Sequence, residues 1–179
     1  MHHRERARAT PLAALGRGLI AGTAGTVAMT AYQELVARLK GSSDSGAGEQ
    51  QDPWESAPAP AQVGRRLIEA LFQTSLDARW APVLTHTMHW LYGTLWGGVY
   101  ALVEESRDEP GALAGPVFGL TVWAMSYVQL VPMGLYEPPW RYPAKTLALD
   151  VSYHLVYGSG VGAAHAVLVR RHPGHRHAA

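Results

Sequence analysis

The feature that most constrains this chain is where its charges are missing. No Asp, Glu, Lys or Arg occurs between Trp80 and Val103, between Gly111 and Tyr136, or between Val151 and Val169. A fourth and shorter apolar stretch, Gly18 to Gln33, follows Arg17, whose long side chain can reach the membrane interface. A soluble helix of such length carries apolar residues on one stripe and charges on the other. A membrane span needs about 20 consecutive, mostly apolar residues. A chain of 179 residues has too little remaining mass to cover four such helices with protein on every side. The expected fold is therefore all-α: an integral membrane four-helix bundle with spans at about 11–39, 80–103, 111–136 and 145–169. The mean hydropathy of only −0.06 reflects charges gathered between and beyond these stretches.

Those intervening regions read differently from one another. Residues 1–10 form a basic tail and residues 170–179 a basic, His-rich one, in which His2, His3, His172, His175 and His177 read as solvated. Residues 41–61 are rich in Gly, Ser, Asp, Gln, Pro and Ala, the composition of a flexible linker. Residues 62–79 read as a short amphipathic interfacial helix, with Val63, Leu67, Leu71 and Phe72 on one side and Arg65, Arg66 and Glu69 on the other. Glu104 to Pro110 makes a charged turn, and Glu137 to Pro143 a stiff, proline-rich loop. Trp80, Tyr136, Trp140 and Tyr142 fall at one predicted interface, as an aromatic belt would. Lys145, starting the fourth span, is expected to snorkel.

Of the 15 Lys and Arg residues, eight fall on the side of the two termini and seven opposite, so the positive-inside rule places both termini in the cytoplasm by a narrow margin. The basic start and small-residue core of the first segment also fit a secretory signal. Its helix-like continuation through Tyr32, Leu35, Val36 and Leu39 favours a retained span. The expected location is the bacterial cytoplasmic (inner) membrane.

The chain carries an internal repeat. His89-Trp90-Leu91-Tyr92-Gly93 parallels His154-Leu155-Val156-Tyr157-Gly158, and Gly97 then matches Gly162 without a gap. Gly18 to Gly22 likewise parallels Gly111 to Gly115. The bundle is thus expected to consist of two repeated transmembrane hairpins. Gly18, Gly22, Gly25 and Met29 share one helical face, as do Gly111, Gly115, Gly119 and Val122; Gly93 with Gly97, and Gly158 with Gly162, supply matching faces. Small residues let backbones approach where lipid removes the hydrophobic drive for helix association.

Five ionisable residues are expected near one end of the bundle: His86, His89, Asp150, His154 and Glu34. Such groups are costly in a bilayer and are functional candidates by default. One reading has them satisfy one another and the loops. A second has His86, His89 and His154 hold a divalent metal or a haem, as facing helices of bundles do, although no His-Glu-x-x-His or paired Glu-x-x-His pattern is present. A third is a proton relay, because imidazole titrates near neutrality. His165, deep in the last span, reads as a core histidine bonded to a neighbouring helix.

The absence of cysteine excludes disulfides, thiolate metal centres and cysteine nucleophiles. A net charge of +1 without a basic stripe gives no footprint for nucleic acid. No Walker loop, Rossmann glycine pattern or nucleophile elbow occurs, so no catalytic residue is assigned, no cofactor is expected, and the chain is read as non-enzymatic. The lipid bilayer is the expected partner, with a homo-oligomer or a larger membrane complex, to which the chain would be an accessory subunit, as further options.

Tyr136-Glu137-Pro138-Pro139-Trp140-Arg141-Tyr142-Pro143, followed by Leu147 to Asp150 and His154 to Gly158, resembles the corresponding stretch of YagU-type bacterial inner-membrane proteins. The glycine-rich run Gly22 to Thr30 is similar in style. The resemblance covers the four spans but neither linker nor tails. It implies a multi-span protein of the cytoplasmic membrane with a connection to acid tolerance, and it supplies no catalytic residues.

Overall fold

A computed structural model describes residues 10–41, 54–107, 111 and 113–171. The terminal tails, most of the 41–61 linker and the tail histidines lie outside the described residues. Among those described, the chain is all-helical, with five α-helices, two short 3-10 turns and no strand.

The first helix, α1, runs Pro11–Lys40. The Thr10 hydroxyl accepts from the Ala13 backbone N–H, Pro11 occupies the first turn where no donor is needed, and Gly41 at φ 72° closes the other end. Helix α2, Ala59–Phe72, starts behind Pro58 and stops at Gln73, which is left-handed with φ 48°. A 3-10 turn, Ala78–Trp80, leads into α3, Ala81–Ser106. Helix α4 is Ala114–Leu130, and α5, Ala144–Arg171, starts directly after Pro143.

Two boundaries differ from the sequence reading. The third segment was expected to span 111–136, but α4 has 17 residues, about 25 Å of helix. Pro132 cannot extend the hydrogen-bond ladder, and Gly134 at φ 69° turns the chain as Leu135 N–H returns to the Leu130 carbonyl. The expected linker 41–61 and interfacial helix 62–79 also shift, because residues 54–58 are a turn and α2 ends at Phe72. Trp54 causes this: it is 6 % exposed, its indole N–H donates to the Leu76 carbonyl at 3.1 Å, and it forms a small core with Ala61 and Leu84.

Helix α1 lies between α3 and α5 and packs along both; α4 packs on α5, α2 on α3, and α3 barely meets α4. The hairpin contacts are backbone to backbone. A Cβ placed on Gly22 would stand 2.7 Å from the Gly93 oxygen and 2.9 Å from the Gly97 Cα. One placed on Gly115 would stand 2.7 Å from the Gly158 oxygen and 3.4 Å from the Gly162 Cα. The repeat register read from sequence thus reappears as matching neighbours in space. It fails at one point. Gly111 precedes α4 and faces no partner helix; instead its N–H donates to the Glu104 carboxylate at 3.0 Å.

One helix, Pro11–Lys40, is long and apolar enough to cross a membrane by length and composition, against the four expected. Among the described residues it is the one helix that meets that test; it lies near the N-terminus, and 39 % of its apolar window is buried. The others fall short because α4 is brief, while α3 and α5 mix His, Tyr, Trp and Thr among their apolar residues.

Candidate functional site

The structure keeps four of the five expected residues near one another, with His89 within electrostatic reach of both His86 and His154, and sets Glu34 apart. Asp150 and His154 are together, one turn apart on α5. His154 Nδ1 lies 2.9 Å from the Asp150 backbone oxygen and 3.6 Å from its carboxylate. A carbonyl only accepts, so Nδ1 carries the proton and Nε2 is left as the base. The Asp150 carboxylate also accepts from the Trp123 indole N–H at 2.9 Å and from the Tyr127 hydroxyl at 3.4 Å, both on α4. These two partners were not singled out in the sequence, although their spacing of four residues places them on one helical face.

His89 is half-buried on α3, with its Nε2 buried and lacking a hydrogen-bond partner. His86 is exposed, and so is Glu34. The repeat explains the departure of Glu34. The register that matches Gly22 with Gly115 matches Glu34 with Tyr127 and Asp150 with Thr85. Glu34 therefore belongs with the first hairpin, while Asp150 and His154 gain Trp123 and Tyr127 as hydrogen-bonding neighbours and keep His89 and His86 nearby. Among the described residues, no group of three or more His, Asp or Glu side chains is placed to hold a metal ion.

A second polar group, at the other end of the bundle, is the more tightly built. Arg17 donates through Nε to Glu105 Oε1 at 2.9 Å and through Nη2 to Oε2, making a bidentate pair. His165 Nε2 donates to the same Oε1 at 2.9 Å. The three side chains are 15 %, 15 % and 7 % exposed and tie together α1, α3 and α5. His165 also sets its ring edge-on to Tyr100, centroids 5.4 Å apart. Arg17 thus turns inward to Glu105 instead of reaching for the interface. Glu105 lies beyond the apolar stretch Trp80–Val103. Burial works against its charge, but the hydrogen bonds and positive charges of Arg17 and His165 outweigh that and hold its carboxyl below the usual range. The sequence carried a signal for this group: the start of the first span, the end of the second and the last turns of the fourth all fall at one end.

Between the two ends, the hairpins are joined by the Tyr157 hydroxyl, which donates to the Gly93 carbonyl at 2.6 Å. This bond takes a second lone pair from a carbonyl already inside a helix. Nothing in either polar group places a nucleophile beside a base.

No family model matches the chain, and neither a curated protein nor a solved structure is found similar to it.

Proposed function

We propose that this chain is a small non-enzymatic protein of the bacterial cytoplasmic membrane, in which all four long helices cross the bilayer and the Asp150–His154 group responds to protons. One observation carries the membrane reading. Large apolar residues face outward on every long helix: Ile20 and Val27 on α1, Leu91 and Leu95 on α3, Val117 and Val128 on α4, Val167 and Val169 on α5. Gly18, Gly22, Gly25, Gly93, Gly97, Gly115, Gly119 and Gly158, by contrast, face neighbouring helices. A water-soluble monomer rarely exposes apolar surface on this scale. The brevity of α4 fits local bilayer thinning.

The proton-responsive part rests on His154, whose Nε2 is free to gain a proton with a carboxylate 3.6 Å from its other nitrogen. This is also what the likeness to YagU-type proteins, with their link to acid tolerance, would lead one to look for. A divalent-metal role has less behind it, since no group of three or more His, Asp or Glu side chains is placed to hold an ion among the described residues.

The absence of native cysteine makes the test direct. Single cysteines introduced at Ser106, Gly134 and Thr10 should be labelled from alternating sides of sealed membranes, with Ser106 and Thr10 on one side and Gly134 on the other. Recovery of the protein in water without detergent, or labelling of all three from one side, would overturn the reading. For the second part, fluorescence of the purified protein should change on acidification, and His154→Gln should abolish the change.

A further inference from the structure

Helix α2 presents a combination that neither polar group explains. Leu67, Leu71 and Phe72 form an exposed apolar ridge, 50 %, 75 % and 72 % exposed. The ridge cannot rotate inward, because Gly64 is seated on Met88 and Leu84 of α3. On the other side of the helix, Trp54, Glu55, Gln62, Arg65, Arg66 and Glu69 line a polar cavity of about 320 Å³. That is near the lower limit, about 300 Å³, of cavities that hold small ligands.

The cavity's charges are balanced, with two guanidinium groups and two carboxylates. Arg65 is committed to Glu69 at 3.0 Å and lies 5.1 Å above the Trp54 ring. Hydrogen bonds from the Leu76 backbone N–H and from Arg65 keep the Glu69 carboxyl below its usual range, so it stays charged. Arg66 uses one nitrogen on the Met133 carbonyl at 2.7 Å, which leaves its other donors for a ligand. The Glu55 carboxylate has no ion pair among the described residues. The bond to Met133 also connects the cavity to the segment after α4. There Val131 and Pro132 belong to the wall of a second, open cavity of about 400 Å³, almost wholly apolar, which Pro139 and Trp140 also line.

We infer that α2 is a seat for a zwitterionic aminophospholipid. Its phosphate would meet Arg66, its ammonium Glu55, and its chains the apolar cavity beyond Met133. A choline headgroup cannot donate hydrogen bonds to Glu55, and an anionic headgroup without an amine leaves that carboxylate unpaired. This rests on the membrane reading above, and the test separates the two.

The full-length protein is purified in mild detergent and exposed to equal amounts of phosphatidylethanolamine, phosphatidylcholine and phosphatidylglycerol. Retained lipid is then counted by native mass spectrometry. Phosphatidylethanolamine should be retained about tenfold over either competitor. Glu55→Gln should remove the preference over phosphatidylcholine, and Arg66→Gln should lower retention of all three. Leu71→Ser, on the opposite face of α2, should leave the lipid preference unchanged. Equal retention of the three lipids, or a preference indifferent to both Glu55→Gln and Arg66→Gln, would overturn the inference. So would soluble phosphoethanolamine competing as well as the lipid does. A protein that needs no detergent to stay in solution would instead overturn the membrane reading itself.

Discussion

The two seams between the hairpins occupy equivalent places in the repeat and are built in opposite ways. Where α1 meets α5, Gly25 lets the backbones close, and a Cβ there would stand 2.5 Å from Val161 and 2.8 Å from the Tyr157 oxygen. Where α4 faces α3, the residue matching Gly25 is Phe118 and the residue matching Val161 is Trp96. Their rings meet edge-on at 6.1 Å, Tyr100 and Tyr92 complete the stack, and the helices hardly touch. Tyr157 is spent on the bond to Gly93, whereas Tyr92, its match, accepts from Gln129 at 3.3 Å. One seam is held by backbone proximity and the other by aromatic filling. Glycine against phenylalanine at a single repeat position is enough to decide which.

Placing the open seam's residue in the closed one should therefore have the largest effect. Gly25→Phe cannot be absorbed, because its obstacles include the Tyr157 backbone oxygen as well as a side chain. A loss of at least about 3 kcal/mol is expected, read as failure to recover monodisperse protein in detergent. The reverse change, Phe118→Ala, removes a filler that can partly be replaced by lipid or by collapse of Trp96. In lipid it should cost about 2 kcal/mol, less than the 3–5 typical of water-soluble cores. If denaturation in mixed micelles ranked these two the other way, the contrast between the seams would be wrong.

Next comes the end that locks the closed seam. Glu105→Gln leaves Arg17 without its carboxylate at a site 15 % exposed, and a loss of about 2 kcal/mol is expected, smaller than for a fully buried pair. Because folding lowers the Glu105 carboxyl below its usual value of about 4.3, its contribution is complete above that pH. It disappears as pH falls through the lower, folded value. Wild-type stability should thus drop below about pH 4 more steeply than that of Glu105→Gln, in parallel unfolding series. Equal slopes would mean that folding leaves the Glu105 carboxyl unperturbed.

The helices and their glycine faces were legible because charge-free stretches and repeated glycines are local patterns. The ends were less legible. The charge-free stretch to Tyr136 concealed the Pro132–Gly134 turn, since neither residue is charged, and Gly111 mimicked an interface glycine although α4 had not yet begun. In the candidate site, Asp150 and His154 were readable from their spacing on one helix. Trp123 and Tyr127 were not, because an aromatic ring in an apolar span looks like packing until its N–H or O–H finds an acceptor. Glu34 was misassigned because sharing a membrane depth was taken for sharing a neighbour. The register of the repeat, already present in the sequence, would have assigned it to the first hairpin.

That distinction sets the smallest expected effect. Asp150 and Thr85 are equivalent, yet the Thr85 hydroxyl bonds only to the Ala81 carbonyl of its own helix, at 2.8 Å, while Asp150 reaches across to α4. Asp150→Asn keeps an oxygen that can accept from Trp123 but removes the charge beside His154. With the Asp150 side chain 29 % exposed, a loss of about 1 kcal/mol or less is expected. Thr85→Val should cost less still, because no second helix loses a partner. Denaturation midpoints of the two variants decide the matter. If Thr85→Val proved the more damaging, the Asp150 group would not be what binds α4 to α5 at this end, and the glycine contacts alone would have to do so. If Asp150→Asn cost as much as Glu105→Gln, the two ends would be equally locked, and the contrast between them would be lost.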